Sequence, residues 1–442
     1  MINQSTFAHR RAEFMSRLLP HSVAIIGGAH ETPRGRDTEC RFRQDADFFY
    51  LTGFNEPDAI AVFNTSGIDQ KFVLFVRPRD PSLEKWMGTR AGVDGAKTDY
   101  GADAAYSIEE FNTRLSELLK GSLNLYYQLG VDIKLDNVIT SQIAQMRPLN
   151  RRGIFCPQTI YGLNDTLHEM RLLKSEEEIQ IMQRAAEVTS EAHCEAMKHA
   201  RKASNEYEIE ALIEYIFRKN GASMPSYGSI IGGGKNATVL HYTGNNAPLV
   251  NGELLLVDAG AEFEAYAADI TRTFPINGRF SVPQQKIYEA VLDVQMRCIE
   301  KARPGVKYSE INDLATRLLT EQMVRLRLLS GDVETLIEQE KQKEFYMHGI
   351  GHFLGMDVHD VGSYITLQND AQNFAESRKL EPSMVLTIEP GLYIDHNSSG
   401  APSEYRGIGV RIEDDILITE TGNRVLTGGV PKTIEEIEKL MA

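Results

Sequence analysis

Asp258, Asp269, His352, Glu389 and Glu413 are residues of the types that hold divalent metal ions, and all fall in the second half of the chain. Four carboxylates and one imidazole suit a pair of ions. Carboxylates neutralise the charge of both ions and can bridge them, and an oxygen-rich set favours Mn²⁺-like metals over soft-ligand zinc sites. Two such ions about 3.5–4 Å apart can hold a hydroxide between them and clamp a polarised carbonyl.

The setting of each residue sharpens this. In LLLVDAGAEFEAYAADITRTFP, Asp258 closes an apolar run and Asp269 follows eleven residues later. Taken alone, such a pair is most often two turn aspartates. The apolar flanks, however, put Asp258 in or near a core, where a carboxylate needs a metal or an arginine to offset its burial. Two antiparallel strands joined by a hairpin would bring the pair together, and Gly260 lets backbones approach closely. In MHGIGHFLGMDVHD, His348, His352 and His359 lie within twelve residues. The i,i+4 spacing of His348 and His352 suits a helix face, but Gly349, Gly351 and Gly355 oppose a regular helix. Gly349 also stands where an H-E-x-x-H zinc helix has its glutamate. Glu389 closes another apolar run, before Pro390 and Gly391. Glu413 lies in a further apolar run, with Arg411 on the same face at period two. Arg411 could orient a ligating carboxylate, or the two could form a plain strand ion pair.

Together these segments resemble the pita-bread metallopeptidases. The order Asp, Asp, His, Glu, Glu in LLLVDAGAEF, AADITRTF, GIGHFLGMDVHD, LTIEPGLY and VRIEDDIL is similar to that family's ligand pattern. The segment FRQDADFFYLTGFNEPDAIAVF and the KWMGTRAG around Trp86 resemble the aminopeptidase P (Xaa-Pro aminopeptidase) branch, so the resemblance covers nearly the whole chain. It implies that Asp258 binds one metal, that His352 and Glu389 bind the other, and that Asp269 and Glu413 bridge both. A bridging water would attack the scissile carbonyl, and Glu389 would carry its proton to the leaving proline nitrogen. His241, His348 and His359 match histidines that hydrogen-bond the substrate carbonyl and the oxyanion. Arg411 and Tyr393 match supporting positions, and Trp86 would help close the substrate pocket from a neighbouring subunit.

The same resemblance implies two divalent ions, Mn²⁺ foremost, peptide substrates with proline second, and a homodimer or homotetramer. Prolidase, confined to Xaa-Pro dipeptides, shares all five ligands and stands as the alternative. Methionine aminopeptidase usually lacks so large an N-terminal domain, and creatinase lacks the full ligand set. A non-catalytic binding module on the same fold would have lost ligands that this chain keeps.

The elements that must position these residues follow from length and patterning. A chain of 442 residues exceeds one ordinary core. The expected division is an N-terminal domain over 1–168 and a catalytic domain over 169–442. The first is read as a mixed-sheet α/β domain, with strands at 23–26, 48–51, 59–63 and 72–76 and helices at 108–119 and around 139–146. In the second, Ser175 and Glu178 form a capping box ahead of a helix reaching about Ala203, and Asn205 and Glu208 cap another that Gly221 ends. Strands are expected at 254–257, 265–274, 384–389 and 410–417, and helices at 283–301 and 309–326. Residues 329–344 read as a charged, solvent-facing insertion. The fold class is α/β (α+β), and the resemblance implies a curved antiparallel pita-bread sheet for the second domain.

A net charge of −15 disfavours nucleic acid or an anionic membrane as partner. Cys40, Cys156, Cys194 and Cys298 show no CxxC pair and read as reduced thiols. No apolar segment has the form of a signal peptide, and a cytoplasmic location is expected.

Overall fold

The computed structural model describes residues 2–67, 70–367 and 375–442. The chain divides into two compact units, Met1–Arg171 and Leu172–Ala442.

The first unit is built on strands β1 (Ser22–Gly27), β2 (Ile60–Asn64), β3 (Phe72–Val76), β4 (Ala104–Ser107), β5 (Asn124–Tyr126) and β6 (Thr159–Tyr161). They form a mixed sheet in the order β4-β3-β2-β1-β5-β6, in which β2 alone runs against its neighbours. Near-continuous apolar runs such as Val23 to Ile26 are what a strand covered on both faces requires. Helix Phe111–Leu119 turns Leu115 and Leu118 inward, and helix Ile133–Met146 does the same with Leu135, Ile139 and Ile143. These side chains share one core with Val23, Ile25 and Leu125.

One expected strand is a helix. Residues 48–51 lie in helix Ala46–Thr52, whose first turn is capped by Asp45 accepting from the Phe48 N–H at 2.9 Å. Gly53 closes it at φ 64°. An N-cap aspartate and a left-handed glycine outweighed the strand preference of the aromatic run. Trp86 lies on the short helix Glu84–Met87 and is 87% exposed, so it is not a core tryptophan.

In the second unit the helices Glu176–His199 and Glu206–Lys219 start at the expected capping boxes. Gly221, at φ 90°, follows the second. Helices Val282–Lys301 and Tyr308–Arg325 complete the long helical segments. The strands are β7 (Met224–Pro225), β8 (Ile230–Gly233), β9 (Leu254–Asp258), β10 (Ala261–Phe263), β11 (Tyr266–Ala267), β12 (Thr271–Pro275), β13 (Ile365–Leu367), β14 (Ala375–Ser377), β15 (Val385–Ile388), β16 (Gly391–Ile394), β17 (Ile408–Arg411), β18 (Asp414–Ile418) and β19 (Asn423–Val425). Every described pairing among them is antiparallel, in the ladders β8-β9-β12, β7-β10-β11, β15-β18-β19, β16-β17 and β13-β14.

Two expected single strands are broken. Residues 265–274 divide into β11 and β12 around residues 268–270, and 410–417 divide into β17 and β18 around Ile412 and Glu413. The pieces join different partners: β17 pairs with β16, whereas β18 pairs with β15. Residues 329–344 are more ordered than a plain insertion. Helix Val333–Glu338 buries Leu336, and Gln342 is buried too, while Glu334, Glu338, Lys341 and Lys343 face solvent.

Candidate metal centre

The breaks and ends of these strands carry the carboxylates. Asp258 is the last residue of β9 and lies opposite Thr271 of β12. Asp269 sits two residues before β12, where Ala259 N–H bonds to Ile270 O at 3.1 Å and holds the two backbones together. A Cβ on Gly260 would collide with the Ala268 carbonyl, so only glycine permits that approach. Glu413 occupies the break between β17 and β18. Its N–H donates to Thr271 O at 3.0 Å, and its carboxylate accepts from Thr271 Oγ1 at 2.7 Å.

Glu389 directly follows β15. His352 lies on residues 350–354, an extended segment laid along β15. There Leu354 N–H donates to Val385 O at 3.0 Å, Thr387 N–H to His352 O at 2.8 Å and Glu389 N–H to Ile350 O at 2.8 Å. Gly351 meets the Thr387 carbonyl where a side chain would clash. Gly351 therefore serves close backbone approach, and the extended segment is not the helix that the histidine spacing mimics.

All five metal-type residues line one cavity of about 640 Å³, together with His241, His348, His359, Arg411 and Tyr227. Asp269, His352 and Glu413 each offer a donor atom within 4.8 Å of the others. His352 Nε2 is 3.5 Å from Asp269 Oδ2 and 3.6 Å from Glu389 Oε1. Its Nδ1 is 3.1 Å from Phe353 O, an arrangement that keeps a proton on Nδ1 and leaves Nε2 as the atom turned toward the carboxylates.

Arg411 organises one side. Its Nη2 lies 2.6 Å from Asp258 Oδ2, its Nη1 donates to Tyr393 Oη at 3.1 Å, and its Nε donates to Thr271 Oγ1 at 3.2 Å. Tyr393 lies behind the cavity wall, 2.8 Å from His348 Nε2. The rings of His352 and His359 are 4.1 Å apart, and His241 is close enough to disfavour charge on both His348 and His359. Trp86 is carried by the first unit.

Four residues that the sequence did not single out belong to this arrangement. Tyr227 Oη contacts both Asp258 and Asp269. Thr271 joins Arg411 to Glu413. Thr387 Oγ1 accepts the His352 N–H at 3.1 Å, and Asp415 accepts the Asp269 N–H at 3.2 Å. A threonine in a strand carries no signal of this role, since its hydroxyl acts across ladders. The signal at Tyr227 is faint: a tyrosine between Pro225 and Gly228 on a turn.

The electrostatics ask for cations. Burial raises the carboxyl groups of Asp258, Glu389 and Glu413, and their mutual repulsion adds to it. Glu389 is pushed up to about 7, with His352 and Arg411 opposing the rise. For His352, burial favours the neutral ring, but the hydrogen bond to Asp269 and the charges of Asp269 and Glu389 prevail and hold it at about 9. His348 is lowered to about 4 by burial and by Arg411 and stays neutral. Three buried carboxylates and the half-buried Glu389, facing one guanidinium and one imidazole, have more negative charge than the protein offsets, and the donors are oxygen plus one imidazole nitrogen. The residues therefore fit divalent ions.

This fold and this donor set define a metallopeptidase. Residues 180–420 match Metallopeptidase family M24, residues 7–126 match the aminopeptidase P N-terminal domain, and the chain belongs to this family. It is 45% identical to the Xaa-Pro aminopeptidase of Haemophilus influenzae, over 98% of this chain and 96% of that one. It is 43% identical to the Xaa-Pro aminopeptidase of Escherichia coli, over 100% and 98%. The structure superposes on aminopeptidase PepP of Pseudomonas aeruginosa with a TM-score of 0.94 at 46% identity, covering 100% of this chain and 98% of that one. On zinc-substituted E. coli aminopeptidase P in complex with product, the TM-score is 0.93 at 43% identity, with coverage of 100% and 98%. The α/β architecture with a pita-bread second domain is thus the fold of this chain.

Proposed function

We propose that this protein removes the N-terminal residue from peptides whose second residue is proline. Two divalent ions of the Mn²⁺ kind would be held by Asp258, Asp269, His352, Glu389 and Glu413. The observation that carries this reading is the convergence of three buried carboxylates, the half-buried Glu389 and the inward His352 Nε2 on one cavity also lined by His241, His348 and His359. The names of the similar proteins point to the same substrate class.

Bound in this way, the ions would supply a water acidic enough to attack near neutral pH and would polarise the scissile carbonyl. The chain's own residues do the rest. Arg411 and Tyr227 fix the two carboxylate oxygens of Asp258, and Thr271 ties Arg411 to Glu413, so the donor set is rigid before substrate arrives. Glu389, on the wall of the same cavity, would take the proton of the attacking water and return it to the proline nitrogen. His241 and His359 stand on the wall to donate N–H groups to the substrate carbonyl and the developing oxyanion.

His348 gives proline its place. Its Nδ1 donates to Gly349 O at 2.7 Å and its Nε2 accepts from Tyr393 Oη, so its ring is locked and uncharged. An Xaa-Pro bond is a tertiary amide without an N–H. A neutral ring face packs the pyrrolidine, where a backbone acceptor waiting for an N–H would be left unpaired.

The assembly is a homodimer or homotetramer in the cytoplasm, with the exposed Trp86 ring closing a neighbour's pocket. Sedimentation of Trp86→Ala and parent protein, alongside their turnover, tests that part. The main test is cleavage of Xaa-Pro and Xaa-Pro-Yaa peptides by metal-stripped protein with and without Mn²⁺. Metal-dependent release of the first residue from the longer peptide is expected. Cleavage of the dipeptide alone would make the protein a prolidase, and no cleavage of either despite bound metal would leave a binding module.

A further inference from the structure

His241 faces the cavity from a segment that offers little to hold it. Residues 239–244 have no helix or strand, and His241, Thr243 and Gly244 are exposed. A ring that must be placed to within about 0.5 Å of the position from which it can hydrogen-bond a substrate carbonyl needs an anchor elsewhere.

That anchor is Glu206, the first residue of helix Glu206–Lys219. It is 0% exposed, and among the described residues no lysine or arginine pairs with it. Its charge is met by four donors. Oε1 accepts from Gly233 N–H at 2.8 Å and Asn236 Nδ2 at 2.9 Å, and Oε2 accepts from Tyr242 Oη and Ala247 N–H, both at 2.8 Å. One carboxylate thus holds both stems of the segment that runs from β8 to Ala247, and also grips the side chain next to His241. The Glu206 N–H donates to Ala247 O at 3.0 Å and closes the clamp. A second tie lies beside it: Asn245, at φ 42°, accepts Ile231 N–H at 2.9 Å and donates to Ser229 O and Glu210 Oε1, both at 2.8 Å.

We propose that Glu206 is the positioning residue that presents His241 to the substrate. The inference rests on the reading above that His241 holds the peptide carbonyl. The chemistry requires a carboxylate at Glu206. All four neighbours donate to the carboxylate; an amide of the same shape would set its own N–H₂ against the Gly233 or the Ala247 N–H whichever way it turned, and leave that N–H unpaired. The clamp acts on the loop, not on the metal ligands, and its loss is felt in substrate binding.

A double-mutant cycle of Glu206→Gln and His241→Ala tests this, read on kcat/KM for an Xaa-Pro-Yaa peptide and on Kd for the Pro-Yaa product, which needs no turnover. In the parent background, Glu206→Gln is expected to raise KM and Kd by about tenfold, the effect of one or two buried donors left unpaired. Metal content should be unchanged, and KM should move more than kcat. In the His241→Ala background the same change is expected to alter Kd less than about twofold, because the residue it positions is gone. Equal factors in both backgrounds, or loss of metal in Glu206→Gln, would overturn the proposal. If Glu206→Gln does not fold, Tyr242→Phe removes the contact nearest His241, and the same non-additivity is required of it. A His241→Ala protein as active and as tightly binding as the parent would instead overturn the role assigned to His241 itself.

Discussion

Tyr227 has one hydroxyl proton and two carboxylates to serve. It contacts both Asp258 and Asp269, and burial together with the charge of Asp269 raises the Asp258 carboxyl, so the cluster holds protons more readily than free carboxylates do. Metal must displace those protons, and also the one that His352 holds up to about 9. The sign follows: affinity for Mn²⁺ should rise with pH through the range 7–9, with protons released on binding. Titration calorimetry in buffers of different ionisation enthalpy reads both, and pH-independent affinity would contradict it. Glu389→Gln removes the proton carrier while keeping the shape. Activity should fall by about 10²–10⁴-fold with Mn²⁺ present, while the far-ultraviolet circular dichroism is unchanged. Arg411→Met leaves Asp258 buried without its cation. In metal-free protein at pH 8 this should cost about 3 kcal/mol in urea unfolding, and less once metal is bound.

The elements turn these side chains into a site by where they stop. Asp258 ends β9, Glu389 follows β15, and Asp269 and Glu413 sit in breaks on either side of Thr271. A residue at a strand end can aim at a common point from several ladders at once, whereas one inside a strand is tied to a face. Gly260→Ala tests the close approach of the backbones that carry Asp258 and Asp269. Its Cβ meets a carbonyl oxygen, so the strands must part, with a loss of about 3 kcal/mol and weaker metal binding. His193, in the helix Glu176–His199, is lowered to about 4 by burial, and its Nε2 donates to Ala259 O at 3.0 Å. A histidine lowered in this way favours the fold above its unfolded value of 6.5, and that contribution is lost as pH falls toward 4. Its removal in His193→Gln should flatten the loss of unfolding free energy between pH 6.5 and 4, to which this histidine contributes about 3 kcal/mol in the parent. At this scale the helices with capping boxes were legible, since a cap is a local contest among neighbouring residues. The broken strands were not, because the choice between β16 and β15 as partner is made across the fold.

For the molecule as a whole, the five donors lie in the second unit, within residues 172–442. Adding Mn²⁺ should therefore slow amide hydrogen exchange in residues 254–275, 348–360 and 385–415, and leave the β1–β5 strands of the first unit unchanged. Equal protection of both units would be inconsistent with this. No described helix is long and apolar enough to cross a membrane, and all four cysteines are free thiols. The sequence by itself determined which residues could bind metal, the family they resemble, and most of the helices, because residue type, local capping and apolar runs are written in neighbouring positions. It also carried the capacity of Gly260 for close approach. Only the tertiary structure decided that Tyr227, Thr271, Thr387 and Asp415 complete the site and that Glu206 holds the loop of His241. Those roles are hydrogen bonds between residues up to 146 positions apart, which have no period or spacing to betray them until the ladders set them side by side.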